Sequence, residues 1–149
     1  MRLSQNFTLD ELTKSSTALR HGIENIPRRI DVESLAALVE NVLQPVRDHH
    51  GPVIVSSGYR CPELNTKIGS KNTSQHVRGQ AADFEIMGRD NSEVAKWIYD
   101  NLDFDQLILE FYEAGQPRSG WVHCSYVGSE SNRNMALIIN SKGVRPFPN

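Results

Sequence analysis

Ser74-Gln75-His76-Val77-Arg78-Gly79-Gln80-Ala81-Ala82-Asp83-Phe84 is the stretch around which the chain is organised. It begins polar, passes through Gly79 and enters an apolar run, residues 81–86, that reads as a β-strand. Inside that run sits Asp83. A carboxylate between Ala82 and Phe84 is costly unless something neutralises it. His76 lies seven positions upstream, at the end of a polar loop over 69–74. Further upstream, Val53-Ile54-Val55-Ser56 reads as a short buried strand ending in the turn Ser57-Gly58-Tyr59-Arg60. Downstream, Trp121-Val122-His123 sets a second imidazole in an apolar strand.

The remaining pattern fills in around these three points. Thr8-Leu9-Asp10-Glu11 has the form of a capping box, so a short helix follows it. Residues 15–25 read as irregular or weakly helical, punctuated by Pro27. From Asp31, Val32, Leu35, Leu38, Val39, Val42, Leu43 and Val46 recur at helical spacing and predict a long amphipathic helix. Pro45 kinks that helix or marks its last turn, since it cannot donate to the turn before it. Gly51-Pro52 stops it. Pro62 fits the first position of a short helix and Gly69 its end. Asn91 or Ser92 caps a helix through Ala95, Ile98 and Leu102. Strands are predicted over 105–111, 121–126 and 135–139, the last of these ending the sheet. The first two are joined by a hairpin-like loop over 114–120. The tail, 144–149, is expected to run extended over the surface. Helices first, then strands with one helix between them, predict an α+β fold with helices on a small, mostly antiparallel sheet.

The chain has 149 residues, 38% hydrophobic and 23% charged, as expected of one soluble domain spanning 1–149. The formal net charge of −2, with both signs scattered, gives no reason to expect nucleic acid as the main partner, where a basic face would be the footprint. No apolar run reaches the roughly 18 residues of a membrane span. Residues 1–7 lack the apolar core of a secretory signal, so synthesis in the cytoplasm is expected. Cys61 and Cys124 do not make a disulfide framework. Monomer is the default expectation.

Two imidazoles and one carboxylate are the donor set of a catalytic zinc site, which takes three protein ligands and keeps one position open. His76, Asp83 and His123 supply that set, implying one Zn2+ per chain. Ser-Gly-Tyr-Arg at 57–60, Ser-x-His-x-x-Gly-x-Ala-x-Asp at 74–83 and Trp-Val-His at 121–123 together resemble the zinc D-alanyl-D-alanine carboxypeptidase family. That family includes the vancomycin-resistance D,D-dipeptidases and phage L-alanyl-D-glutamate endolysins. The likeness runs from Phe7 to about Tyr126 and is greatest to small phage and prophage members. It implies a Hedgehog/D,D-peptidase-like architecture with zinc on His76, Asp83 and His123. It implies Arg60 as the cation that stabilises charge on the scissile carbonyl oxygen. It also implies Ser74 as a substrate contact, with Tyr59 beside it. The substrate it implies is a peptidoglycan stem peptide, reached after release or delivery to the cell wall.

One position departs from the pattern. Many members carry a general-base Glu three residues before the last His, and this chain has Gly120 there. Hydrolysis needs a base near the attacking water. Glu110, closing the apolar run Leu107-Ile108-Leu109, is the replacement expected. In a hairpin it shares a face with His123. Glu85 and Glu113 are weaker candidates. Gly120 also keeps an alternative open, a zinc-stabilised cell-wall binding module without turnover. Which bond is cut depends on the loops at 69–73 and 114–119.

Overall fold

The computed structural model describes residues 1–148. Six strands form one sheet in the order β1-β2-β4-β3-β5-β6. They are β1 (Val53–Ser57), β2 (Ala81–Ile86), β3 (Gln106–Glu110), β4 (Trp121–Ser125), β5 (Met135–Asn140) and β6 (Gly143–Pro146). All neighbouring pairs are antiparallel except β3 with β5. The helices are α1 (Leu9–Thr13), α2 (Ser16–Arg20), α3 (Arg29–Leu38), α4 (Gln44–His50), α5 (Pro62–Ile68) and α6 (Asn91–Asn101). The fold is α+β with a mostly antiparallel sheet, as the pattern predicts.

Alternation along the strands gives the sheet two faces of different character. Ala82, Phe84, Leu107, Leu109, Val122, Cys124 and Ile138 point to a core shared with Leu35, Leu38, Val42 and Leu43, and with Val94 and Ile98 of α6. Burying each larger side chain of this set contributes about 1.5–3 kcal/mol. The opposite parity, Asp83 on β2, His123 on β4, and Ile108 and Glu110 on β3, faces away from that core. A one-residue slip in any of these strands would exchange the two sets, so core burial fixes the face that carries the chemistry.

Several local expectations change. The long helix is interrupted: residues Val39–Leu43 form a π-helical turn between α3 and α4. Pro45 then occupies the first turn of α4, and the helix runs on to His50. The wider turn accommodates the ring and the missing N–H without breaking the apolar stripe. Pro45 therefore marks the start of a segment, not a last turn. Residues 16–20 are a helix, capped by the Ser15 side chain. Asp90, not Asn91 or Ser92, caps α6, accepting from Ser92 N at 2.8 Å. β1 is an edge strand rather than a buried one, with Val55 buried and Ile54 exposed. Residues Gly143–Pro146 of the tail are extended and exposed, as expected, and in addition pair with β5 as β6, a further hairpin; Asn149 lies outside the described residues. Cys61 and Cys124 are free thiols. Among the described residues, no helix is long and apolar enough to cross a membrane.

Candidate active site

Asp83 and His123 are direct partners across β2 and β4. Pairing sets their side chains side by side on the face away from the core, and His123 Nδ1 lies 2.9 Å from Asp83 Oδ1. His76 arrives from a separate element, a single 3₁₀ turn over Gln75–Arg78. Ser74 caps that turn, its Oγ accepting from His76 N at 3.3 Å. Gly79 ends it at φ +67, where a Cβ would overlap the Asp31 carbonyl of α3. Only glycine lets the turn close so tightly against α3 before β2 begins. His76 Nε2 then lies 3.4 Å from the same Asp83 Oδ1.

The second nitrogen of His76 shows how the ring is set. Nδ1 is 2.7 Å from the Gly58 carbonyl oxygen. A carbonyl can only accept, so Nδ1 carries the hydrogen and Nε2 offers its lone pair to the site. A backbone oxygen orienting an imidazole this way is the usual support of a metal-binding histidine. One donor atom from each of His76, Asp83 and His123 lies within 4.8 Å of the others, and all three residues are buried. Donors about 2.0–2.1 Å from a tetrahedral ion stand roughly 3.3 Å apart. The separation of 3.4 Å matches that edge length and the 2.9 Å one is somewhat shorter, so the donor set is compatible with zinc.

The electrostatics agree with a site built for a cation. Burial alone pushes the Asp83 carboxyl up. The imidazoles of His123 and His76 beside it, His123 foremost, outweigh burial and hold it well below the ordinary carboxylate range. Burial pushes His76 down against the pull of Asp83, which favours the neutral ring a metal requires. Burial likewise lowers Arg60, although a guanidinium remains charged.

Arg60 reaches the cleft from the turn after β1. Its Nε donates to Ser57 Oγ at 3.0 Å and its Nη2 stands 3.5 Å from Asp83 Oδ2. Asn25 anchors this turn. Its amide donates to the Thr13 and Tyr59 carbonyls at 2.7 and 2.9 Å, and its Oδ1 accepts from Cys61 N at 2.7 Å. Sequence reading missed Asn25, because a polar residue in an irregular stretch carries no periodic signal. Tyr59 is not brought to the cleft. It is buried in the core, with its N–H on the Leu12 carbonyl, and so packs the structure rather than touching a substrate.

Glu110 does come to the site. Ile108 pairs with His123 and Glu110 with Trp121, so Glu110 is one pair further along the same face. A cleft of about 340 Å³ is lined by Arg60, Ser74, His76, Asp83, Glu110 and His123, and also by Trp121 and residues 68–70. Burial, followed by the Asp83 charge, raises the Glu110 pKa. Glu113 lies in the loop outside this cleft and Glu85 accepts from Asn91 Nδ2 at 3.4 Å near the base of α6.

Gly120 has a structural reason. It sits at φ +65, and a Cβ there would overlap the Glu110 carbonyl oxygen and fall 2.6 Å from Phe111 C and 2.7 Å from Tyr112 N. The β3–β4 hairpin closes over position 120 and leaves no room for a side chain. Asn91 holds this closure, donating to the Ser119 and Gly120 carbonyls at 3.0 and 3.1 Å.

A profile of the peptidase M15 family matches residues 5–125. The chain belongs to the peptidase M15 family. No individual curated protein matches it. The peptidase M15 match begins before α1 and ends with β4, so it takes in every residue of the cleft. Members of the peptidase M15 family are zinc peptidases, and among the described residues His76, Asp83 and His123 form a cluster that could hold such an ion.

Proposed function

We propose that this peptidase M15 member is a zinc-dependent hydrolase of peptide bonds in peptidoglycan stem peptides, acting as a single-domain monomer. The observation that carries the reading is the convergence of His76 Nε2 and His123 Nδ1 on Asp83 Oδ1, with Glu110 and Arg60 in the same cleft. His76, Asp83 and His123 would hold zinc, which supplies Lewis acidity toward water and toward a peptide carbonyl.

The chain's own residues supply the rest. Glu110, with its raised pKa, takes the proton of the attacking water and returns it to the leaving amine. Arg60 donates to the carbonyl oxygen as negative charge develops there, held in place by Ser57 and by the Asn25 clamp on its turn. Ser74 lines the cleft mouth beside His76, where its hydroxyl meets the peptide. With Glu110 in the cleft, the missing acid at position 120 no longer argues for a binding module without turnover.

The test is mass spectrometry of purified peptidoglycan after incubation with the protein, with and without a chelator. New peptides that vanish with chelator are the expected result, and their masses name the bond cut. Stoichiometric zinc with no new product from several wall types would overturn the hydrolase reading.

A further inference from the structure

The active-site cleft does not end at His123. A second, larger hollow of about 680 Å³ continues from it and shares Ser70, Ser74 and His123 with it. Its apolar part is Ile108 on β3 and Leu137 and Ile139 on β5; its charged part is Lys71, Arg78 and Arg133. Strand register explains the apolar part. Ile108 pairs with Leu137 and Glu110 with Ile139, so these side chains share the face that carries His123. α6 packs on the opposite face, and Leu137 and Ile139 stay only partly buried.

All three charged groups bordering this hollow are cations. Among the described residues, Lys71 and Arg78 form no salt bridge. Arg133 is tethered: its Nη2 is 2.7 Å from Asp105 Oδ2, yet its side chain remains half exposed. Asp105 is buried and also accepts from Gln75 Nε2 at 2.8 Å, which ties Arg133 to the 3₁₀ turn bearing His76. The groove is therefore built into the same frame as the metal ligands.

We propose that this groove is a subsite for an extended, acidic segment of the substrate peptide, and that Lys71 and Arg78 set the preference for a carboxylate there. The inference rests on the peptidase reading and names what that site accepts. From β4 across β3 to β5 is two strand spacings, roughly 10 Å. An extended peptide covers about 3.3 Å per residue, so the segment lying over Leu137 and Ile139 is about three residues from the bond cleaved. Substrate thus continues past the metal site instead of ending there.

The test uses zinc-loaded Glu110→Gln protein, so that peptide is bound and not consumed. Two probes are compared by calorimetry: a peptidoglycan stem pentapeptide with free carboxylates, and the same peptide with every carboxylate converted to carboxamide. The expected result is about tenfold tighter binding of the acidic peptide, a ratio that shrinks as salt is raised because the cations are exposed. Adding Lys71→Gln and Arg78→Gln reduces the ratio to less than about twofold, with zinc stoichiometry and melting temperature as folding controls. Equal binding of the two peptides by the parent protein, or a preference that survives the double substitution, overturns the proposal. Failure of the peptidase reading shows separately, as no chelator-sensitive hydrolysis by the wild-type protein.

Discussion

Placing a glutamate at position 120, where many zinc D,D-peptidases carry their base, should damage this protein rather than help it. In Gly120→Glu the new side chain must adopt φ +65, a left-handed conformation that costs an L-residue about 1–2 kcal/mol. Its Cβ also overlaps the Glu110 carbonyl, with Phe111 C and Tyr112 N close behind. These are backbone atoms of the paired strand, so relief means moving the hairpin, at a further cost of order 1–3 kcal/mol. A total near 3 kcal/mol lowers the melting temperature by roughly 6–12 °C in a chain of this size. The assay is thermal unfolding by circular dichroism, paired with turnover of a stem peptide. Gly120→Glu should melt early, and adding it to Glu110→Gln should restore nothing. The single Glu110→Gln change should keep zinc and lose about 10²–10⁴ in kcat. A double variant that melts within about 2 °C of wild type and regains turnover would refute the reasoning, since the hairpin would then have room for a base at 120.

Asp83→Ala removes the carboxylate on which both imidazoles converge, and zinc measured by atomic emission after gel filtration should fall to trace; stoichiometric zinc would show that Asp83 is not a ligand. Asn25→Ala leaves Cys61 N and two carbonyls without partners, so it should destabilise by about 1–3 kcal/mol in urea titration, while turnover falls through the loosened Arg60 turn. Asp105 gives a pH prediction. Arg133, with help from Gln75, holds its carboxyl at about 2, below the ordinary 3.8. A depressed carboxylate stabilises the fold above its unfolded pKa, and that stability is lost as pH falls through about 2. The full shift would be worth about 2 kcal/mol, and the half-exposed Arg133 discounts it to about 1. Urea titrations of metal-free protein should find Asp105→Asn less stable than wild type at pH 7, with the gap roughly halved at pH 3. An equal gap at both values would mean the pair contributes no linked charge.

Much of this was legible along the chain because it depends on local patterning. The strand at Val53–Ser57 follows from its β-branched run, as the capping box at Thr8–Glu11 follows from its own four residues. That Glu110 shares a face with His123 was likewise readable, given a hairpin between their strands, whereas the grouping of both with Asp83 came from strand pairing. The donor identities suggested a metal site, and the motifs at 57–60, 74–83 and 121–123 together suggested the family. What the sequence left open depended on register and on contacts between distant segments. Glu110 and Trp121 are opposite one another only because the hairpin pairs them so, and Gly120 is excluded from carrying a side chain only because that pairing folds the Glu110 carbonyl over it. Tyr59 and Arg60 are neighbours in sequence, yet one enters the core and the other the cleft, since the turn after β1 is pinned by Asn25 from 34 residues away. The edge position of β1 and the β6 hairpin are properties of strand order, which no single strand encodes. Periodicity fixes which way a side chain faces within its element; which residues meet across elements is decided by tertiary pairing, where one hydrogen-bond register excludes the rest.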